Sequence, residues 1–466
     1  MDSTDPTDNS SNRSNGTNRP TNLNETNQHS RNHTRDTSLP KIMTPWAMTT
    51  TKILLLENIN QVAAQILNKQ GYVVDQLKTS LSEEDLIERL KSGEYSGLGI
   101  RSKTKVTERV IREAGSKLLV IGCFCIGTNQ VNLQAAASAG ISVFNSPFSN
   151  SRSVAELVIS ELIALSRQLF DRSDELHRGI WNKVSKGCWE VRGKVLGIIG
   201  YGHIGTQLSV LAEALGMIVI YYDVVPIMPL GSARQIEGLE EMLSQADFVT
   251  IHVPELPETI DMISAKELAS MKKNSYLINN SRGKVVDIPA LIESLESNHL
   301  AGAAIDVFPD EPGSNGENFN DGLNSWFSRL SKIKNVILTP HIGGSTEEAQ
   351  RAIGAEVGNA FVRYLNFGSS LGAVNFPEVS LRPILEPGLV RVCHVHQNQP
   401  GVLKTINSIV SDFNVEKQYS DSKSNLAYLL ADIQVSDIQS VSQMEIFSLF
   451  DRITNTTSNL KTRILY

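Results

Sequence analysis

Three short stretches late in the chain each place a residue able to do chemistry at the end of an apolar run. NNSRGKVVD carries Arg282, DVFPDEP carries Glu311 and TPHIGG carries His341. An arginine so placed can hold a carboxylate with two parallel N–H groups of its planar fork. A glutamate beside a histidine fixes which ring nitrogen carries the proton and raises the imidazole pKa. A histidine tuned in this way exchanges a proton with an alcohol or ketone oxygen, a role worth roughly 10²–10⁴ in rate. Taken singly, each residue reads equally well as a surface ion pair, a cap or a loop hydrogen bond. A motif upstream gives the three a joint meaning.

That motif is KVLGIIGYGHIGTQL, which sets Gly200, Gly202 and Gly205 in G-x-G-x-x-G spacing. It follows a run that reads as a strand and opens a helical pattern, and Asp223 ends the next strand, IVIYYD. In that context the spacing predicts a dinucleotide site. Gly200 permits the tight turn, Gly202 lets backbone N–H groups approach a pyrophosphate, and Gly205 lets helix pack on strand. The helix N-terminus adds unpaired N–H groups and a positive dipole. Asp223 accepts from a ribose diol and repels a 2′-phosphate, so NAD is expected rather than NADP.

The elements that must hold these residues read as two α/β series and a smaller third unit. From KILLLENI to ISVFNSP, strands and helices alternate over 51–148. A second series runs through KVLGIIG, IVIYYDV, FVTIHVP, SYLINNS, AGAAIDVF and NVILTP, giving a Rossmann-type parallel sheet within 149–340. Between them, SRSVAELVISELIALSRQLF reads as one connecting helix with Ser153 as its N-cap. After TPHIGG, Ser345 and Glu348 match a capping box for a long helix whose Ala349, Ile353, Val357, Phe361 and Leu365 share one face. A Gly/Pro-bearing linker near 370–388 leads to a βαββαβ order over 389–466, the ferredoxin-like arrangement.

Composition narrows the function classes. A chain of 466 residues with 41% hydrophobic and 20% charged residues is ordinary for a soluble protein of two to four domains. A net charge of −7 without a long Lys/Arg run argues against a broad nucleic-acid surface. The longest apolar stretch, LVISELIALS, is too short to span a membrane and is broken by Glu161. Four cysteines show neither zinc nor disulfide spacing, so no metal is expected, and reduced thiols in a cytoplasmic protein are. Residues 1–50 are rich in Asn, Thr and Ser and are expected to form a disordered tail.

Taken together, GYGHIGTQL, Asp223, HVPELPET, NNSRGKVVD, AAIDVFPDEP and TPHIGGSTEEAQ resemble the D-isomer-specific 2-hydroxyacid dehydrogenases. IGCFCIGTNQVNL, PFSNSRSVAELVI, HRGIWNKVSKG, AVNFPEVSL and PGVLKTINSIV are similar to the branch acting on D-3-phosphoglycerate, in its short bacterial form with a C-terminal ACT domain. The likeness covers essentially 51–466. It implies NAD-dependent oxidation of 3-phosphoglycerate to 3-phosphohydroxypyruvate, the first step of the phosphorylated route of L-serine biosynthesis. Reduction of 2-oxoglutarate to 2-hydroxyglutarate is a further implied side activity.

The resemblance also implies roles by position. Arg282 binds the substrate carboxylate and carbonyl, His341 is the acid/base and Glu311 is its partner. Cofactor contacts fall on His203, Ile204, Asp223 and the Asn280–Ser281–Arg282 turn. Asp306 and the loop of His341, Ile342, Gly343 and Gly344 complete them. Arg101, Ser102 and Asn129 match substrate positions, and Arg101 and Lys183 suit a phosphate. Trp181 and Lys183 match a loop that reaches a neighbouring subunit, which implies a homo-oligomer, a tetramer. The substrate domain becomes flavodoxin-like and discontinuous, 51–148 with 341–378, around an NAD-binding domain at 149–340, and the ACT domain is 389–466.

Two departures from the family pattern stand out. His396 and Asn398 match positions that read an L-serine effector, but the third falls on Glu416, where an amide is expected, unless Asn414 takes its place by a register shift. Weakened allosteric inhibition by serine follows as an expectation. RPILEPGL lacks the paired glycines of the family's regulatory hinge, and the connector 313–335 reads as a surface insertion. Two alternatives stay open. One is another dehydrogenase of this family, acting on glycerate, formate or 2-hydroxyglutarate. The other is a non-catalytic, NAD-sensing partner-binding protein, since that corepressor branch keeps the same three residues.

Overall fold

Apolar runs bounded by amphipathic helices pair in parallel, because each crossover helix returns the chain to the same end of the sheet. The computed structural model describes residues 51–115, 117–312, 316–317, 319, 324–384, 388–435 and 442–465. The tail at 1–50, parts of the 313–335 connector and residues 385–387 near the end of the 370–388 linker lie outside the described residues.

The first sheet contains β1 (Lys52–Leu55), β2 (Val73–Gln76), β3 (Gly97–Ile100), β4 (Val120–Cys123) and β5 (Ser142–Phe144). They are parallel in the order β2-β1-β3-β4-β5, the flavodoxin-type arrangement. β3, β4 and β5 are buried at every position, as strands covered on both faces must be.

The second sheet contains β6 (Val195–Ile199), β7 (Ile218–Tyr222), β8 (Arg234–Gln235), β9 (Phe248–Ile251), β10 (Tyr276–Asn279), β11 (Gly302–Ile305) and β12 (Val336–Leu338). Its order is β12-β11-β10-β9-β6-β7-β8, all parallel. The direction of winding reverses between β6 and β9, the switch point at which neighbouring loops diverge and leave a crevice. β8, a two-residue edge strand, has no counterpart in the sequence reading.

The third sheet is antiparallel. β13 (Leu389–Gln397), β14 (Asn414–Lys423), β15 (Leu426–Gln434) and β16 (Asn459–Leu465) pair in the order β14-β15-β13-β16. Helices Val402–Val410 and Ser442–Thr454 complete βαββαβ. Ser424, at φ 55°, makes the tight turn of the β14–β15 hairpin.

Three local expectations are corrected. The connecting helix begins at Ser151 with Asn150 in the cap position, so Ser153 lies inside it, where its Oγ meets Thr346 Oγ1 at 2.8 Å. The same helix stops at Arg167 because Gln168 turns left-handed at φ 51°, and a second helix runs Leu169–His177. The long helix spans Glu347–Phe367, and its N-cap is Thr346, whose side chain accepts from Ala349 N–H. Ser345 stands one residue before the cap, in a turn that its N–H closes on Ile342 O at 2.8 Å.

That long helix follows the last strand of the second sheet yet packs on the first. Its Ala349, Ile353, Val357, Phe361 and Leu365 are all buried. Gly122 of β4 is required here, since a Cβ would run into Val357 and Phe361. Beyond the helix, Val374 N–H reaches Val143 O at 2.8 Å, and Asn375 bonds Val143 N–H and Ile141 O. The helix ends against the third sheet, whose buried Arg391, Tyr428 and Arg463 donate to carbonyls of its last turn and cap. Tyr364 O already accepts from the cap residue Gly368 N–H at 3.0 Å, while carbonyls at a helix end otherwise lack intrahelical partners, and cations there also suit the helix dipole.

Candidate active site

Carboxyl ends of parallel strands supply every residue singled out in the second sheet. Gly200–Gly205 follow β6, Asp223 follows β7, Asn280–Arg282 follow β10, Asp306–Glu311 follow β11 and Thr339–His341 follow β12.

The structure brings two of the three reactive residues into direct contact. His341 Nδ1 lies 2.7 Å from Glu311 Oε2. The carboxylate can only accept, so Nδ1 carries the hydrogen and Nε2 is left to exchange a proton. Side-chain exposure is 50% for His341 and 33% for Glu311, so the pair is open to solvent. The hydrogen bond to Glu311 raises the His341 pKa; burial opposes it, the charges of Glu311 and Asp306 add to it, and the Arg282 charge works against it. Burial pushes Glu311 up, but the His341 hydrogen bond and charge, Phe308 N–H and Arg282 outweigh it and hold the carboxyl below its usual range. Arg282 is therefore close enough to act on both electrostatically, and its Nη1 donates to Ser281 O at 2.7 Å.

Asp306 shapes the loop that carries the histidine. Its backbone O accepts from His341 N–H at 2.7 Å, while Oδ1 accepts from Thr339 Oγ1 and Ile342 N–H and Oδ2 from Gly343 N–H. These bonds hold His341 at φ 54°, a conformation few non-glycine residues adopt. Asp306 is 1% exposed, so its carboxylate serves this loop first, whatever else it meets. Gly344 sits against Asn150, whose Oδ1 is buried and has no hydrogen-bond partner among the described residues.

The arginine turn is braced in the same manner. Asn279 Oδ1 accepts from Ser281 N–H and Ser281 Oγ, and its Nδ2 donates to Arg282 O at 3.0 Å. Asn280 Nδ2 donates to Glu161 Oε2 at 2.8 Å. Glu161 lies buried in the Ser151–Arg167 helix, and burial pushes its carboxyl up to about 8 despite the Asn280 bond.

The glycine motif has the geometry a pyrophosphate needs. Gly200 sits at φ 91°, and Gly205 packs against Gly200 O, where a Cβ would clash. A Cβ at Gly202 would meet open space, and no side chain caps the helix His203–Ala214 that begins there. Free N–H groups thus face room for a phosphate. Asp223 accepts from Tyr201 N–H and Val225 N–H, which leaves lone pairs on both oxygens for a ribose diol. Phe148 stacks on His203 with ring centroids 3.6 Å apart, bridging the first unit to this motif.

Arg101 and Ser102 follow β3, and Asn129 lies in the loop after β4, at the carboxyl edge of the first sheet. Lys183 and Trp181 lie on an exposed stretch, Trp181 at 80% exposure. In the third sheet His394 and His396 stack at 5.0 Å, both buried, with Nε2 of each lacking a partner among the described residues. Asn398 Nδ2 donates to Ser424 O. Within one chain His396 does not meet Asn414 or Glu416, since His396 pairs with Ala427 at one end of β15 and Asn414 with Gln434 at the other.

Sequence reasoning missed Asn279, Asn150, Phe148 and the role of Glu161. Only Glu161 carried a signal, an acid inside an otherwise apolar run.

Comparison with known proteins places this geometry. The D-isomer specific 2-hydroxyacid dehydrogenase, NAD binding domain, model matches residues 159–343. D-3-phosphoglycerate dehydrogenase 1 of Saccharomyces cerevisiae is 58% identical over 92% of this chain and 90% of its own length. D-3-phosphoglycerate dehydrogenase of Escherichia coli is 51% identical over 83% of this chain and 92% of its own. A solved D-isomer specific 2-hydroxyacid dehydrogenase from Lactobacillus delbrueckii ssp. bulgaricus, in an NAD-complexed form, superposes with TM-score 0.62 at 26% identity over 70% of this chain and all of its own. With its switch-point glycine loop and its His341–Glu311 pair, the chain belongs to the D-isomer-specific 2-hydroxyacid dehydrogenases.

Proposed function

We propose that this protein oxidises D-3-phosphoglycerate to 3-phosphohydroxypyruvate with NAD, the entry step to L-serine. The observation that carries the reading is the His341–Glu311 pair at 2.7 Å beside Arg282, in a chain so similar to enzymes named for that substrate. NAD, when bound, supplies the hydride acceptor. The residues that would hold it are Gly200–Gly205, Asp223, the Asn280–Arg282 turn and the loop His341–Gly344.

His341 Nε2 takes the hydroxyl proton during oxidation and returns it to the ketone in reverse. Glu311 holds the ring and stabilises the imidazolium. Arg282 binds the substrate carboxylate with its fork, and Asn279 keeps the arginine turn in shape. Arg101 and Ser102, with Lys183 from a neighbouring subunit, bind the distal phosphate, and Asn129 belongs to the same cleft. Residues 51–148 with 341–378 form the substrate domain, 149–340 the NAD domain and 389–466 an ACT domain.

Exposed Leu169, Phe170, Leu176, Ile180 and Trp181 support a homo-oligomer, a tetramer, since runs of exposed apolar side chains mark association surfaces. His396 and Asn398 form half of an effector site for L-serine that a second subunit completes, with Glu416 weakening it. All four cysteines are free, which supports a reducing, cytoplasmic setting. Among the described residues, no helix is long and apolar enough to cross a membrane.

The test is NADH oxidation with 3-phosphohydroxypyruvate, run beside glyoxylate and 2-oxoglutarate. The phosphorylated keto acid is expected to give the highest kcat/KM and 2-oxoglutarate, which also has a distal anion, a measurable second rate. A preference for glyoxylate would overturn the assignment.

A further inference from the structure

The chain turns sharply after β1. Glu57 and Asn58 stand at φ 62° and 53°, two successive left-handed residues of which neither is glycine. Glu57 N–H reaches Thr79 O and Asn58 N–H reaches Leu77 O, so the turn is held from its own side. It carries the Glu57 side chain, at 7% residue exposure, to the loop after the adjacent strand β3. There Oε2 accepts from Lys103 N–H at 3.0 Å and Oε1 from Thr104 N–H at 2.8 Å. On the other flank, buried Gln130 donates through Nε2 to Arg101 O at 2.6 Å and Gly127 O at 3.1 Å. The four-residue loop Arg101–Thr104 is thus gripped at both ends by side chains that are themselves buried.

Each of the two N–H donors meets its own oxygen, which a carboxylate supplies, whereas a carboxamide in the same pose would turn its N–H₂ group against one of them. A carboxylate beside a site for an anion would repel it if left bare. Here both oxygens face backbone N–H groups, and the acid serves the loop's shape.

We propose that Glu57 and Gln130 are positioning residues that hold the Arg101–Thr104 backbone in the shape that presents Arg101 and Ser102 to the distal phosphate. The proposal rests on the reading of that loop as the phosphate site. Two strained backbone residues kept in place by the fold are the mark of such a device.

The test is a double-mutant cycle on the holoenzyme with 3-phosphohydroxypyruvate and NADH. Glu57→Gln keeps the size of the side chain and turns an N–H₂ group against a backbone N–H. Its KM for the keto acid is expected to rise about tenfold, the scale of one lost charge-assisted hydrogen bond. Its kcat is expected to change less, and NADH affinity to hold. In an Arg101→Ala background the same change is expected to add almost nothing, since the arginine it positions is gone. Gln130→Met, which removes the donor to Arg101 O, is expected to follow the same pattern and stands in if Glu57→Gln does not fold.

An unchanged KM in Glu57→Gln beside a raised KM in Arg101→Ala overturns the brace and leaves the phosphate reading intact. An unchanged KM in Arg101→Ala overturns the phosphate reading, and the brace with it. A Glu57→Gln effect that persists in full without Arg101, or that also weakens NADH binding, marks a general structural role and overturns the proposal.

Discussion

At the His341 loop the charged side chains are half open to solvent, and part of their bonding capacity is left over. His341 uses Nδ1 on Glu311 and keeps Nε2. At the seam between the Glu347–Phe367 helix and the third sheet, the opposite holds. Arg391 is fully buried and bonds both oxygens of Asp432, Phe367 O and Arg382 O. Arg463 lies over the Tyr364 ring at 4.4 Å and donates to Tyr364 O and Leu365 O. A charge buried and bonded by the chain on several sides is architecture, while one with a free position and a path to solvent is available for reaction. Net charge and residue type do not tell the two apart. Burial, together with a bonding position left facing solvent, does.

The sharpest way to break that contrast is to remove one side of it. His341→Ala is expected to lower kcat by about 10²–10⁴ with NADH affinity, read by fluorescence titration, nearly unchanged. Near-normal turnover would mean that the open pair is architecture as well. Arg391→Ala is expected to cost roughly 3–5 kcal/mol of stability, because it leaves Asp432 buried without its partner. Thermal or denaturant unfolding reads that loss, and kcat of the folded fraction is expected to stay near wild type. A fall in kcat larger than the fall in folded fraction would join the seam to the chemistry.

Glu311→Gln tunes the open pair without deleting it. Oxidation needs neutral imidazole, so the acid limb of its kcat/KM profile is expected above the ordinary histidine value, because Glu311 raises the His341 pKa. Reduction needs the protonated ring and is lost as pH rises through that same pKa. With the carboxylate gone, both limbs are expected to move to lower pH. Limbs that stay in place would show that Glu311 only holds the ring. The effect on stability alone, set by pH, belongs to Glu161, whose folded carboxyl keeps its proton to about 8 while an unfolded one loses it near 4.5. The folded state binds more protons across that window, so stability falls as pH rises through it. Glu161→Gln removes this slope, so its Tm advantage over wild type is expected to grow from pH 5 to pH 8. A constant difference would place the carboxylate's cost elsewhere.

Much of the fold was legible because parallel strands buried on both faces are continuous apolar runs, and the glycine spacing carries its own geometry. The trio was legible because each member ends such a run. The caps were displaced by a few residues for a simple reason. Asn150, Ser151 and Ser153, like Ser345 and Thr346, are neighbouring side chains able to cap, and only the path of the chain selects the one in the cap position. Glu57 was invisible because its role depends on a left-handed turn and on two loops from adjacent strands meeting. Asp306 was expected to contact cofactor, and no local pattern signals that its oxygens are filled by a loop more than thirty residues on.

The clasp at the end of the long helix bears on modularity. Small βαββαβ units are often thought of as detachable, yet cutting this one off would uncover the carbonyls of Leu365, Phe367 and Gly368 at once. A transplanted unit would have to arrive with two guanidinium groups and a phenol hydroxyl already in register with that helix turn. Exchange of the C-terminal unit between relatives is therefore constrained by one turn of helix at the junction, more than by the length of the linker that joins them.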